Sequence, residues 1–188
     1  VFWQRKSVIS RLPQRSLDLV RQYAEQVMNS AATISEKAIL QRAHNAAEAA
    51  ARESGAAEYR CLETGGFLLP TVSLHPYYKK LKEKEHQFSA VLDVGCGFGA
   101  DGRQMMVDGL ATAVLGVDRS DLYLRLGCEV FGEDSSKTVL SETWEDRGNL
   151  LPRATYLALD LVDRRQGEET IVTTIQNILR RKGYKPVT

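Results

Sequence analysis

Between residues 91 and 100 the chain reads Val91-Leu92-Asp93-Val94-Gly95-Cys96-Gly97-Phe98-Gly99-Ala100, an apolar run that breaks into glycine at every second position. A strand that must turn sharply into a helix needs backbone conformations and a close approach that a Cβ would obstruct, and Gly95, Gly97 and Gly99 supply both. The spacing predicts a helix over residues 100–108, with Gly109 as its stop. Its unpaired N–H groups and positive dipole end would face the turn, which favours a negative group there.

A second apolar run, Ala113-Val114-Leu115-Gly116-Val117-Asp118, is expected to lie beside the first strand in a parallel sheet. An acid at its end can accept both ribose hydroxyl protons, in charge-assisted bonds worth roughly 1.5–3 kcal/mol each. Strand, glycine turn and Asp118 together point to a nucleoside-containing cofactor. The dinucleotide pattern is also satisfied, by Gly95, Gly97 and Ala100. Asp93 separates the two classes: a carboxylate near the turn repels a pyrophosphate and attracts a cationic amino or sulfonium group, favouring S-adenosylmethionine over NAD.

On these residues the chain resembles the class I S-adenosylmethionine-dependent methyltransferases, whose first motif is an acid, one residue and G-x-G-x-G, and whose second strand ends in an acid. The resemblance implies an α/β fold, a Rossmann-like parallel sheet that is partial here, with the cofactor-binding domain over residues 67–188; residues 1–66 read, from their own spacing, as an α-helical N-terminal extension. It implies that Asp93 holds the methionine amino group, that Gly95, Gly97 and Gly99 line the methionine and ribose, and that Asp118 binds the ribose hydroxyls. A third run, residues 154–161, resembles the family's next motif and makes Asp160 and Leu161 the adenine candidates. More narrowly, His75-Pro76-Tyr77-Tyr78, the Asp101-Gly102-Arg103 that follows the glycines, and Leu126-Gly127-Cys128-Glu129-Val130-Phe131 look like a group of fungal-type small-molecule methyltransferases. Ordinary packing at a domain edge competes with a cofactor or substrate role for His75, Tyr77 and Tyr78, and Cys96 reads as a small turn residue.

The flanking sequence is helical. Residues 16–30 place Leu17, Val20, Tyr23, Ala24, Val27 and Met28 on one stripe. Thr33-Ile34-Ser35-Glu36 reads as a capping box opening a second helix, whose alanine-rich far end must be either exposed or packed very closely. His44 is expected at the surface or its boundary. A charged helix is expected over residues 77–88, and another over residues 120–131 with Ser120 as N-cap. Residues 132–149 read as a polar excursion holding a short turn near Trp144, and residues 168–182 as a further helix.

The 188 residues carry 25 basic and 24 acidic side chains, so no global charge draws the chain to nucleic acid. Cys61, Cys96 and Cys128 lack metal-ligand or disulfide spacing, and no apolar run approaches the roughly 20 residues of a membrane span. The basic, serine-containing start, with Arg5, Lys6, Arg11 and Arg15, resembles the end of an organelle-targeting stretch and equally fits a basic surface segment, leaving cytoplasm, mitochondrion and plastid open.

In the methyltransferase fold the fourth strand lies against the first, and here only Tyr184-Lys185-Pro186-Val187-Thr188 follows the last expected helix. The first strand is therefore expected to be an open edge that a further segment or a protein partner must cover. Two functions stand: the cofactor-binding portion of an S-adenosylmethionine-dependent methyltransferase acting on a small-molecule or protein acceptor, or a methyltransferase-like structural subunit of a larger, organellar complex without catalytic activity. Intact Asp93, Gly95, Gly97, Gly99 and Asp118 favour the enzyme, although no general base can be named.

Overall fold

In the computed structural model, residues 9, 11–31, 33–53, 60–140, 153–159, 173, 175–178 and 180 are described. Among the described residues four parallel strands form the sheet: β1 (Val91–Val94), β2 (Val114–Asp118), β3 (Val139–Leu140) and β4 (Ala154–Ala158), in the order β1-β2-β4-β3. Val91 aligns with Val114, and Val114 with Ala154. Between the strands run α5 (Ala100–Val107), α6 (Asp121–Phe131) and the short α7 (Ser135–Thr138). This is an α/β architecture, a partial Rossmann-like sheet with a helical N-terminal extension.

Strand alternation divides the buried side chains between two faces. Val114, Ala154 and Tyr156 join the larger core beneath α5 and α6, whereas Leu115, Val117, Leu157 and Leu159 pack with Ile178, in the helical stretch 175–178, as a second cluster. Leu92 and Val94 are in register with Leu115 and Val117, on that second face, yet are 44% and 58% exposed. Among the described residues β1 pairs only with β2.

The extension packs on the outer side of α5 and α6. Helix α1 (Gln14–Gln22) continues into a π-helical turn, Tyr23–Val27, and both lie against α5. Leu17, Val20, Tyr23 and Ala24 are buried as the stripe predicts, but Met28 is not. The wider winding of the π turn advances the register and rotates Met28 into solvent. Helix α2 (Glu36–Glu53) lies against α6, and its buried Ala43, Ala46, Ala47 and Ala50 resolve the alanine-rich segment in favour of close packing. Its cap is Ser35 rather than Thr33: the Ala38 N–H donates to Ser35 Oγ at 3.2 Å, because the helix begins only at Glu36. His44 is half-buried and pairs with Glu48 at 3.4 Å.

Helix α3 (Arg60–Thr64) leads through two short 3-10 turns, Gly66–Leu68 and Val72–Leu74, to α4 (Pro76–Glu83). The last is shorter than the charged helix expected over residues 77–88. Glu85 adopts a φ of 49°, and Phe88 pairs in parallel with Ala111 ahead of β1 and β2. Ser120 caps α6 as expected, accepting the Tyr123 N–H at 3.2 Å. The polar excursion after α6 is corrected in part, since it contains β3; two residues are too few for alternation to betray a strand. Trp144, the residues from 160 to 170 and those from 181 to 188 lie outside the described residues.

Candidate cofactor-binding site

The turn is built by β1 overrunning its partner. Gly95 and Cys96 donate their N–H groups to Val117 O at 2.8 and 3.2 Å, and the Gly99 N–H closes the loop onto Cys96 O at 2.7 Å. Gly95, Gly97 and Gly99 hold φ angles of 70°, 53° and 72°, left-handed values that side-chain-bearing residues avoid. At Gly95 and Gly97 a Cβ would point into open space, so the backbone there is bare and approachable. Gly99 differs, because a Cβ would come within 2.5 Å of Arg103 Nη1 and 2.8 Å of the Tyr156 ring.

Asp118 closes the site from β2. Its Oδ2 accepts the Gly97 N–H at 2.8 Å and its Oδ1 accepts the Ser120 N–H at 2.9 Å. Each oxygen keeps a further lone pair. Beside it opens a cavity of about 720 Å³, within the size range of small-molecule sites. Cys96, Gly97, Asp101, Asp118, Arg119 and Ser120 give it polar lining, and Leu62, Phe67, Leu69 and Tyr123 an apolar one.

Asp93 is half-buried behind the turn and accepts the Gly102 N–H at 3.2 Å. Burial pushes its carboxyl up to about 6, helped by the charges of Asp101 and Asp118 and opposed by the Gly102 N–H and by Arg103. Asp93, Gly95 and Gly99 flank the cavity rather than line it, while Gly97 and Asp118 do line it. Asp160 and Leu161 lie outside the described residues; β4 does arrive beside β2, where the Leu159 N–H donates to Asp118 O at 2.9 Å. The Cys96 thiol is raised by burial and by the Asp93 and Asp118 carboxylates, which keeps it neutral and unreactive.

Sequence reasoning gave two contributors, Asp101 and Thr71, no role in the site. Asp101, in the first turn of α5, accepts Thr71 Oγ1–H at 2.8 Å and the Val72 N–H at 2.9 Å, and so ties down the segment carrying Phe67 and Leu69. An acid in a helix's first turn was a usable signal for Asp101; Thr71 gave none. The His75-Pro76-Tyr77-Tyr78 element does not reach the cavity. His75 Nδ1 caps α4 by accepting the Tyr77 N–H at 3.2 Å, and the Tyr78 hydroxyl donates to Asp108 at 2.7 Å, pinning α4 to the end of α5.

Curated proteins similar to this chain carry one name in common. Methyltransferase ausD of Aspergillus calidoustus is 26% identical over 155 residues, 82% of this chain and 50% of that protein. The chain is related to fungal methyltransferases. Methyltransferase ausD of Penicillium brasilianum is 30% identical over 107 residues, 56% of this chain and 33% of its own length. O-methyltransferase atr3 of Stereocaulon alpinum is 35% identical over 75 residues, 39% of this chain and 22% of that protein. The chain thus spans about half the length, or less, of the methyltransferases it matches. No protein-family model matches it, and no solved structure does.

Proposed function

We propose that this chain is the S-adenosylmethionine-binding portion of a methyltransferase. The observation that carries the reading is the Asp118 carboxylate, held by the Gly97 and Ser120 N–H groups at the rim of a nucleoside-sized cavity, with the Asp93 carboxyl half-buried behind the same turn. The residues suit that ligand. The bare backbone at Gly95 and Gly97 leaves room that a Cβ would fill. Asp93, Asp101 and Asp118 outnumber the one cation that lines the cavity among the described residues, Arg119, so the turn favours a cation over a pyrophosphate, which argues against a dinucleotide.

In this reading Asp118 would accept the ribose hydroxyls with the lone pairs left after its two backbone bonds, and Asp93 would attract the methionine ammonium. Leu62, Phe67, Leu69 and Tyr123 would exclude water and cover the purine. Asp160 and Leu161 remain the candidates for the adenine edge. When bound, S-adenosylmethionine supplies an electrophilic methyl group on sulfur. The chain's part is orientation, which for a displacement can lower the barrier by roughly 7–11 kcal/mol. Residues 67–188 carry the cofactor turn, and residues 1–66 the helical extension, which lends Cys61, Leu62 and Gly66 to the cavity wall.

The exposed Leu92 and Val94 support a further element of the reading, that additional polypeptide covers β1. The same observation favours the second reading, a methyltransferase-like subunit that packs by this edge in a larger assembly without transferring methyl groups. Calorimetric titration of the folded chain with S-adenosylmethionine distinguishes them. Saturable micromolar binding that is lost in Asp118→Ala supports the cofactor site, and no heat from a folded sample overturns it in favour of the subunit.

A further inference from the structure

Helix α5 carries a fully buried cation directly behind the glycine turn. Arg103 is 0% exposed, and its Nη1 donates to Phe98 O at 2.7 Å and to Gly99 O at 3.1 Å, the two carbonyls that end the turn. On its other side Nη2 and Nε donate to the two oxygens of Glu133, at 2.5 and 3.3 Å. The guanidinium lies 4.2 Å from the Phe131 ring centroid, 4.5 Å from that of Tyr156 and 5.5 Å from that of Tyr23. The Tyr23 hydroxyl donates to the same Glu133 carboxylate. One planar cation therefore joins the turn, the end of α6, strand β4 and the N-terminal extension.

A buried guanidinium is stable only where charge and donors are matched, and the Arg–carboxylate fork matches both. Burial opposes the charge, but Glu133, with Tyr156 and Tyr23 around it, outweighs that and keeps Arg103 protonated. The site has been shaped around it. Gly99 has no room for a Cβ because Arg103 and Tyr156 fill that space, and a Cβ on Gly127 of α6 would overlap the Phe98 carbonyl.

We propose that Arg103 is a positioning residue for the cofactor turn, and that Tyr23 of the extension sets its grip through Glu133, so that docking of the N-terminal helices governs affinity for S-adenosylmethionine. The cofactor part of this inference rests on the function proposed above. Arg103 touches no cavity surface; it acts by fixing the carbonyls of Phe98 and Gly99, and with them the neighbouring Gly97 amide on Asp118. A lysine cannot replace it, since one ammonium cannot span the two turn carbonyls and both Glu133 oxygens.

Two measurements on the full chain test the proposal. Amide hydrogen exchange without ligand should rise at least tenfold over residues 96–100 in Arg103→Lys, while residues 114–117 of β2 keep their protection. Calorimetry should show S-adenosylmethionine bound about threefold or more weakly by Tyr23→Phe, which keeps the ring and deletes only the bond to Glu133. Arg103→Lys should lose more. If exchange rises equally in turn and strand, Arg103 merely stabilises the fold, and if it rises in neither, Arg103 does not hold the turn; either result overturns the proposal. If the wild type binds and Tyr23→Phe binds as well as it does, the link to the extension fails. If the wild type binds nothing, the function proposed above falls, and the exchange result alone decides whether Arg103 holds the turn.

Discussion

Asp118 at the end of β2 and Gly97 in the turn after β1 meet through one short hydrogen bond, Gly97 N–H to Asp118 Oδ2 at 2.8 Å. The carboxylate that would receive a ribose is thus already fixing the loop that would receive the rest of the ligand. Removing it should loosen both. Asp118→Ala is expected to weaken S-adenosylmethionine binding roughly ten- to hundred-fold, the equivalent of one or two lost charge-assisted bonds. Asp118→Glu, whose longer arm misplaces both backbone contacts, should recover little. Titration calorimetry of the two variants checks this, and unchanged affinity in Asp118→Ala would remove Asp118 from the site.

Binding should also depend on pH through Asp93. Its carboxyl is pushed up to about 6, chiefly by burial, so acidification below that value protonates it and removes its attraction for a cation. Affinity is expected to be flat above pH 7 and to fall below pH 6, approaching tenfold per unit. In Asp93→Asn the profile should be weak and level. A wild-type affinity constant between pH 5 and 7.5 would contradict the assignment.

Stability should move the other way. A carboxyl with a raised pKa in the folded state binds its proton more tightly there than in the unfolded chain. Asp93 therefore favours folding fully below its ordinary range near 3.8, and that advantage is lost as pH rises through about 6. Asp93→Asn can still accept the Gly102 N–H, and should stabilise the ligand-free chain at pH 8 by on the order of 1–3 kcal/mol. Urea unfolding at pH 5 and pH 8 would show the gain shrinking with acid.

Glycine-to-alanine substitutions should separate two kinds of glycine in one turn. Gly95→Ala meets open space and incurs only the left-handed backbone penalty, about 1 kcal/mol. Gly99→Ala incurs the same penalty and also drives a methyl into Arg103 and Tyr156, which adds about 1–3 kcal/mol of overpacking. Equal denaturation midpoints for the two variants would refute the packing around Arg103.

The β1 edge makes a prediction about association. Among the described residues β1 pairs only with β2, and its Leu92 and Val94 leave apolar side chains exposed beside that edge, an arrangement that recruits further strands. Val94→Lys should lower self-association of the chain at high concentration without changing its far-ultraviolet circular dichroism. Sedimentation velocity that shows wild type and variant equally monomeric would count against an adhesive edge.

The strand, the turn and the Asp118 that follows them were legible from residue order alone. Alternating glycines, a parallel apolar run and a terminal acid are local signals, fixed by φ preferences and by strand chemistry that act over a few residues. Ser120 as a cap was legible for the same reason. What could not be read was anything decided by residues distant in the chain. The two-residue β3 depends on its neighbour β4, while the cap at Ser35 and the outward turn of Met28 depend on where a helix begins and how it winds, which residue spacing alone does not disclose. His75, Tyr77 and Tyr78 form a conspicuous motif, yet only packing shows that His75 caps α4, that Tyr78 anchors it to Asp108, and that the cavity is left to Phe67 and Tyr123. Arg103 is the sharpest case. As a letter it is one more cation on a helix; buried among Glu133, Tyr23, Phe131 and Tyr156 it becomes the clamp on the turn, because a guanidinium's role is set by which carboxylates and rings the fold brings to it.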